Sequence, residues 1–592
     1  MKKRWLLTLF ALTGLGLYGL RRRLLGRLLH IGPPQNRVSV RRGLRTPLPG
    51  GPALVGDLYR PQRGGRRPTV LMRTPYGRTW RNGISGIIAH FAALRFAERG
   101  YNVLLQEVRG SGDSAGPGER FVPFQHEAAD GRATLAWIER QEWSDGATAM
   151  WGPSYLGYTQ WAAAAGAPAS LKAFAPAMTG ARMTVMGLRD GAPGFDLQLR
   201  WIHTLQHLQP HGLLTWLPCY YRTYTAEQRA VARAERELPL AHADEIVAGQ
   251  PVPFFREWLD HTRLDDPYWQ AVDPTQNFNR LHAAASLVSG WYDLFLREAL
   301  DDYCRLRQAG AQPYLTIGPW RHADIRSVIE SLRQSLAWFD AHLRGDPRRL
   351  RLDPVWVYVQ GQEAWQALPD WPPPTRPLCG YLHPDRALDF HAPPMLHPLA
   401  PRRPGAAGPA CDHYTYDPAD PTPAIGGNMQ GVHGGRVDNR LLEARPDVLC
   451  YTSPPLQASL LVMGAPRAVL YVRSSRPTAD FFVRLCDVHP HGASYNICDG
   501  LLRVGPEQGQ AQPDGSRRIE VELFPTAYRF ARGHRLRVQV SSGAHPRWAR
   551  NLGGDEPCFT ARRMYRAEQT IYHDLDHPSA VSIPCAADTP TG

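Results

Sequence analysis

Three short stretches carry residues that could perform nucleophilic acyl chemistry. The first is Met150-Trp151-Gly152-Pro153-Ser154-Tyr155-Leu156-Gly157, the second Gly290-Trp291-Tyr292-Asp293 and the third Gly318-Pro319-Trp320-Arg321-His322. A serine hydroxyl is a weak nucleophile until a base takes its proton and a carboxylate orients that base. Ser154, Asp293 and His322 supply those types in the chain order Ser, acid, His, the order used where the serine sits on a sharp strand-to-helix turn. The turn departs from Gly-x-Ser-x-Gly, because Leu156 holds the second glycine position and Gly157 follows one residue later.

Strands and helices must bring these stretches together. Thr69–Met72 reads as a buried strand, His90–Arg99 as a helix stopped by Gly100, and Tyr101–Gln106 as the next strand. A helix over Gln125–Glu139, a strand over Ala147–Trp151 and an Ala-rich helix over Tyr158–Ala165 follow. The alternation predicts a mostly parallel sheet, whose strand C-termini are where such sheets place their sites. It lapses over 181–275, which reads as an inserted helical cap, and resumes at Ala285–Gly290 and Pro313–Gly318. A helix from Ile325 and a strand over Val355–Val359 close that section, and Trp371-Pro372-Pro373-Pro374 marks a boundary. Beyond it, Ile519, Val521 and Leu523 alternate with charged neighbours, as do Leu536, Val538 and Val540, the period of half-buried antiparallel strands. The expected architecture is an α/β-hydrolase fold over 33–180 and 276–370, the cap over 181–275, and an all-β jelly-roll sandwich over 376–592.

Composition narrows the function. The net charge of +14 suggests nucleic acid, yet lysine occurs only at Lys2, Lys3 and Lys172, and the arginines are interleaved with acids, so no nucleic-acid partner is expected. Nine cysteines without a Cys-x-x-Cys pair give no zinc motif, and no metal or cofactor is expected; one disulfide among the last seven stays open for an exported protein. Residues 1–32 begin with Lys2-Lys3-Arg4, an apolar run over 5–20 and Arg21-Arg22-Arg23. That pattern reads either as a membrane-associating anchor or as an export signal, with the flanking charges favouring a cytoplasmic C-terminal side.

Through these motifs the chain resembles the cocaine-esterase/X-Pro dipeptidyl-peptidase family of acyl hydrolases. The three stretches above match its signatures, as do Asp57-Leu58-Tyr59-Arg60-Pro61, Arg73-Thr74-Pro75-Tyr76-Gly77 and Arg109-Gly110-Ser111-Gly112-Asp113-Ser114. Asp487-Val488-His489-Pro490 and Gly533-His534-Arg535-Leu536-Arg537 match its jelly-roll domain. The resemblance implies Ser154 as nucleophile, His322 as general base and acid, Asp293 as orienting carboxylate, and an oxyanion hole of the Tyr76 hydroxyl and the Tyr155 backbone N–H. Trp151, Trp291, Phe295 and Trp320 lie beside the catalytic turns and are expected to line an acyl pocket.

The substrate is then a small-molecule ester or a short peptide-like molecule. Relatives that hold a substrate ammonium place acids just after the triad Asp, where this chain has Leu294, Phe295, Leu296 and Arg297. An ester is therefore the first reading. An Xaa-Pro dipeptidyl-peptidase is the second, with Asp190, Asp196, Asp265 or Asp266 of the cap as its amine partner. A binding protein that uses the sandwich on a dead hydrolase is the reading from another class.

Overall fold

The computed structural model describes residues 22–24, 26–49, 51–62, 65–79, 82–183, 188–189, 191–207, 216–322, 324–390, 410–430 and 434–587. The apolar run over 5–20 lies outside them. Among the described residues no helix is long and apolar enough to cross a membrane.

The catalytic half is built on a ten-stranded sheet. Its strands are β1 (Val38–Thr46), β2 (Leu54–Pro61), β3 (Arg67–Thr74), β4 (Asn102–Glu107), β5 (Ser144–Pro153), β6 (Leu171–Ala177), β7 (Ala284–Tyr292), β8 (Tyr314–Arg321), β9 (Val355–Val359) and β10 (Ala364–Leu368). They lie in the order β1-β2-β4-β3-β5-β6-β7-β8-β9-β10, parallel from β4 to β9 and antiparallel at both edges. Central strands covered on both faces must be apolar throughout, and β4 is buried at every residue, whereas the edge strand β1 carries Arg41, Arg42 and Arg45 into solvent.

Helices cover the two faces: α1 (Gly83–Glu98), α2 (Glu127–Glu139), α3 (Tyr155–Ala164), and later α8 (Leu296–Gln308) and α9 (Ile325–Arg344). Between β6 and β7 come α4 (Phe195–Gln206), α5 (Trp216–Ala234), α6 (Ala243–Ala248) and α7 (Pro253–Asp260). Over 195–280 the described residues hold helices and no strand. Two local readings shift. α1 begins seven residues before His90, and α3 begins directly after Ser154, so the turn is tighter than the glycine spacing suggested.

Beyond Trp371 the chain is an antiparallel sandwich. Leu449–Thr452, Arg535–Ser541, Ala479–Val488 and Ser494–Val504 form, in that spatial order, a four-stranded sheet. A larger sheet faces it, including Thr375–Leu382, Arg467–Ser474, Arg517–Glu522 and Ala580–Ala586. Ile519 and Val521 point into the core while Glu520 and Glu522 stay exposed, the alternation of a half-buried strand. One apolar core runs from Trp291, Leu296 and Tyr303 of the catalytic half through Trp371 into Leu470, Val521 and Tyr528 of the sandwich. Cys304, Cys379, Cys411, Cys450, Cys486, Cys498, Cys558 and Cys585 are free thiols.

Candidate active site

Ser154 stands between β5 and α3 with φ 56° and ψ −126°, a left-handed conformation that a β-carbon makes costly. Its N–H donates to the Ala177 carbonyl (2.8 Å), and its carbonyl accepts from the N–H groups of Gly157 (2.7 Å) and Tyr158 (3.1 Å). A β-carbon at Gly152 would lie 2.3 Å from that of Leu156, and one at Gly157 would lie 2.3 Å from Thr179 Cγ2. The displaced second glycine is thereby explained. Leu156 closes over Gly152, and it is position 157 that must slide past the end of β6.

Asp293 and His322 follow the C-terminal ends of the adjacent parallel strands β7 and β8. The Asp293 carboxylate is fully buried; one oxygen accepts the Phe295 N–H (2.7 Å) and the other lies 2.8 Å from His322 Nδ1. His322 Nε2 lies 3.2 Å from Ser154 Oγ. The chain acid–imidazole–hydroxyl is continuous and can move a proton from the serine to the ring while the carboxylate holds the ring's orientation.

Tyr76 comes two residues after β3, its N–H bonded to Thr74 Oγ1 (3.0 Å). Its hydroxyl accepts from Trp201 Nε1 of α4 (2.9 Å), and Tyr76 lines the same cavity as Ser154. Burial pushes this phenol up to about 12, with the Trp201 hydrogen bond and the neighbouring Ser154 hydroxyl pulling the other way, so it remains a proton donor through the neutral and mildly alkaline range. The Tyr155 N–H belongs to the first turn of α3, where no intrahelical acceptor is available. The Tyr155 side chain is tied elsewhere: its hydroxyl donates to Glu127 (2.8 Å) and accepts from the Phe124 N–H (3.0 Å).

Ser154 opens on a cavity of about 230 Å³. Phe124, Tyr158, Trp201, Met178, Met183 and Leu197 give it an apolar wall, with Gln430 reaching in from the sandwich half. Of the four predicted pocket residues, Trp151 and Phe295 line it. Trp291 and Trp320 do not, and that expectation is corrected. Trp291 donates to the Tyr358 carbonyl (2.6 Å) and packs on Trp371 in the core shared with the sandwich. Trp320 folds flat over its own strand, its ring 2.5 Å from where a Gly318 β-carbon would stand. Chain proximity to a catalytic turn does not set the direction of a side chain.

Among the described residues that line the cavity there is no Asp, Glu, Lys or Arg. The cap acids are engaged away from it. Asp196 pairs with Arg200 (2.7 Å), Asp265 with Arg263 (2.7 Å), and Asp266 caps a short helix through the Tyr268 N–H (2.8 Å). Asp190 lies outside the described residues. Sequence reasoning missed Phe124, Trp201 and Gln430, which reach the cavity from distant segments with no local motif to mark them.

One group among the described residues has the donor set for a metal: Asp487, His489 and His534 in the sandwich. Its donors are already engaged, Asp487 accepting from Tyr528 (2.7 Å) and lying 2.9 Å from His534 Nδ1, with the Arg436 guanidinium 3.2 Å from His489 Nε2. A guanidinium at that distance opposes a second cation.

Known proteins resemble both halves of the chain. Residues 50–324 match the family model described as X-Pro dipeptidyl-peptidase (S15 family), and residues 350–582 match that of the X-Pro dipeptidyl-peptidase C-terminal non-catalytic domain. A cocaine esterase of Rhodococcus sp. (strain MB1 Bresler) is 31% identical over 587 residues, covering 92% of this chain and 98% of the relative. Two solved structures share the fold at 22% identity, each match covering 93% of this chain and 97% of the other. They are an α-amino acid ester hydrolase (TM-score 0.75) and an aminopeptidase from the marine sediment archaeon Thaumarchaeota archaeon (TM-score 0.73).

Proposed function

The chain belongs to the X-Pro dipeptidyl-peptidase (S15) family and is a serine hydrolase, and from that premise we propose that it cleaves neutral carboxylic esters through an acyl-enzyme on Ser154. His322 Nε2 takes the Ser154 proton as Oγ attacks the ester carbonyl. The developing oxyanion accepts from the Tyr76 hydroxyl and the Tyr155 N–H, each such donor contributing about 3 kcal/mol to the transition state. His322, held by Asp293, then protonates the leaving alkoxide. A water molecule, deprotonated by the same ring, attacks the acyl-enzyme and releases the acid.

The observation that carries the choice of a neutral ester is the composition of the cavity. A substrate ammonium taken out of water needs an ionised partner. The described lining offers hydroxyls, one amide, the His322 imidazole and apolar or aromatic faces but no carboxylate, while the nearby carboxylates are paired elsewhere. The relatives' peptidase and amino-ester activities remain theirs on this reading.

Two measurements test it. A fluorophosphonate probe is expected to label the parent and leave Ser154→Ala unlabelled; equal labelling removes Ser154 from its role. Turnover of p-nitrophenyl esters of apolar acids is expected to exceed that of Gly-Pro-p-nitroanilide. Faster anilide cleavage instead supports the dipeptidyl-peptidase reading and overturns this one.

A further inference from the structure

A buried asparagine from the sandwich half holds the loop that carries Asp293. Asn428 Nδ2 donates to the Asp293 carbonyl (2.7 Å) and to the Trp291 carbonyl (2.9 Å). Both partners are carbonyl oxygens, so only the NH2 end of the amide can face them, and its two hydrogens match the two acceptors. The loop has just left β7, which ends at Tyr292; its internal ties include Asp293 N–H to the Gly290 carbonyl (2.9 Å), Leu296 N–H to the Asp293 carbonyl (3.2 Å) and Phe295 N–H to the Asp293 carboxylate (2.7 Å).

The residues around Asn428 are built to keep it there. Gly427 and Gly435 exchange backbone hydrogen bonds (2.8 and 2.9 Å), and the Met429 N–H returns to Gly427 (3.0 Å). A β-carbon at Gly427, where φ is 77°, would lie 2.6 Å from Asp499 Oδ2. Asp499 is itself buried and clamped between Arg484 (2.8 Å) and Arg547 (2.6 Å). An ion-paired brace in the sandwich thus continues through the glycines to Asn428 and on to the backbone of the acid.

We propose that Asn428 is a positioning residue for catalysis, fixing the acid loop so that the Asp293 carboxylate meets His322 in register. Asn428 does not line the catalytic cavity; it acts through Asp293, and the sandwich becomes part of the catalytic apparatus. The inference rests on the triad reading of Ser154, Asp293 and His322. A loop displaced by about 1 Å is enough to cost about 100-fold in such an arrangement.

The test uses Asn428→Ala and Asn428→Asp in the full chain, each alone and combined with Asp293→Asn. The Asp variant keeps the side chain's shape and removes both N–H donors, and it decides the matter where the Ala variant fails to fold. Rates on a p-nitrophenyl ester are expressed per active site titrated with fluorophosphonate. Each single variant is expected to lower kcat about 10- to 100-fold with KM within about threefold. In the Asp293→Asn background the same changes are expected to lower kcat less than about twofold, because the group acted upon is already lost. A kcat within threefold of the parent overturns the inference, as does an equal loss in both backgrounds; plain interdomain glue lowers thermal stability and leaves kcat per titrated site unchanged. Should Asp293→Asn alone keep parental activity, the triad reading fails first, and that single variant tells the two failures apart.

Discussion

The cap and the sandwich both reach the catalytic centre, from opposite ends and by different physics. The cap touches the oxyanion side. Trp201 of α4 donates one hydrogen bond to Tyr76 while its ring stacks parallel to Phe124, Tyr155 and Trp258 and forms part of the cavity wall. The sandwich touches the acid side. Asn428 donates two hydrogen bonds to backbone, outside the cavity, from a loop braced by buried ion pairs. An aromatic wall tolerates changes of substrate shape, whereas a buried brace of directional hydrogen bonds and ion pairs narrows the geometries open to it. Changes in the cap should therefore move KM and kcat together, and changes at the acid end should move kcat alone.

Breaking each end in turn sharpens that contrast. Asp293→Asn removes the charge that orients His322 and is expected to lower kcat about 10⁴-fold with KM little changed, read by steady-state kinetics on a chromogenic ester. Tyr76→Phe removes one of two oxyanion donors; a loss of about 10²- to 10³-fold in kcat is expected in the same assay. Trp201→Phe keeps a ring in the wall but deletes the N–H to Tyr76. Its expected cost in kcat is about tenfold or less, the worth of one neutral hydrogen bond, with KM shifted for bulky acyl groups. A kcat loss at Trp201 with KM constant across substrates would erase the proposed difference between the two ends.

The smallest effect concerns the hold of the cap on itself. Glu235, just past α5, is pushed up to about 9 by burial and by the neighbouring Asp196 charge on α4. The folded state keeps a proton that the unfolded chain releases near the ordinary value of 4.5, so stability falls as pH rises from there through about 9. Glu235→Gln needs no proton and is expected to flatten that fall. The parent should melt progressively lower between pH 5 and pH 9, and the variant should melt higher than the parent at pH 8, by differential scanning fluorimetry. Parallel slopes in the two proteins would show that the acid pair does not link α4 to α5.

Much of the catalytic half is legible in the amino-acid sequence, for a local reason. Runs of apolar residues four to eight long, the helix stopped by Gly100, and the Gly-Pro-Ser turn each encode their own conformation within a few residues. Ser154, Asp293 and His322 can be picked out because each sits at a strand end that its own neighbours define. Trp291 and Trp320 are misplaced by the same reasoning, because those neighbours leave open which way a side chain turns. Trp371, 80 residues from Trp291, and the bare backbone of Gly318 settle those two directions.

By itself, then, the sequence determined the alternation of strands and helices, the chain order in which Ser154, Asp293 and His322 arrive at strand ends, and the change to a β-sandwich after Trp371. Each of these is a property of short windows, in which periodicity, turn chemistry and glycine act over a few bonds. Only the tertiary structure decided what surrounds those groups: the Trp201 N–H on Tyr76, the neutral lining of the cavity, and the Asn428 amide on the acid loop. Those contacts join residues 125 and 135–137 positions apart. No local pattern specifies such a pairing, because it depends on how segments distant in the chain are packed against one another.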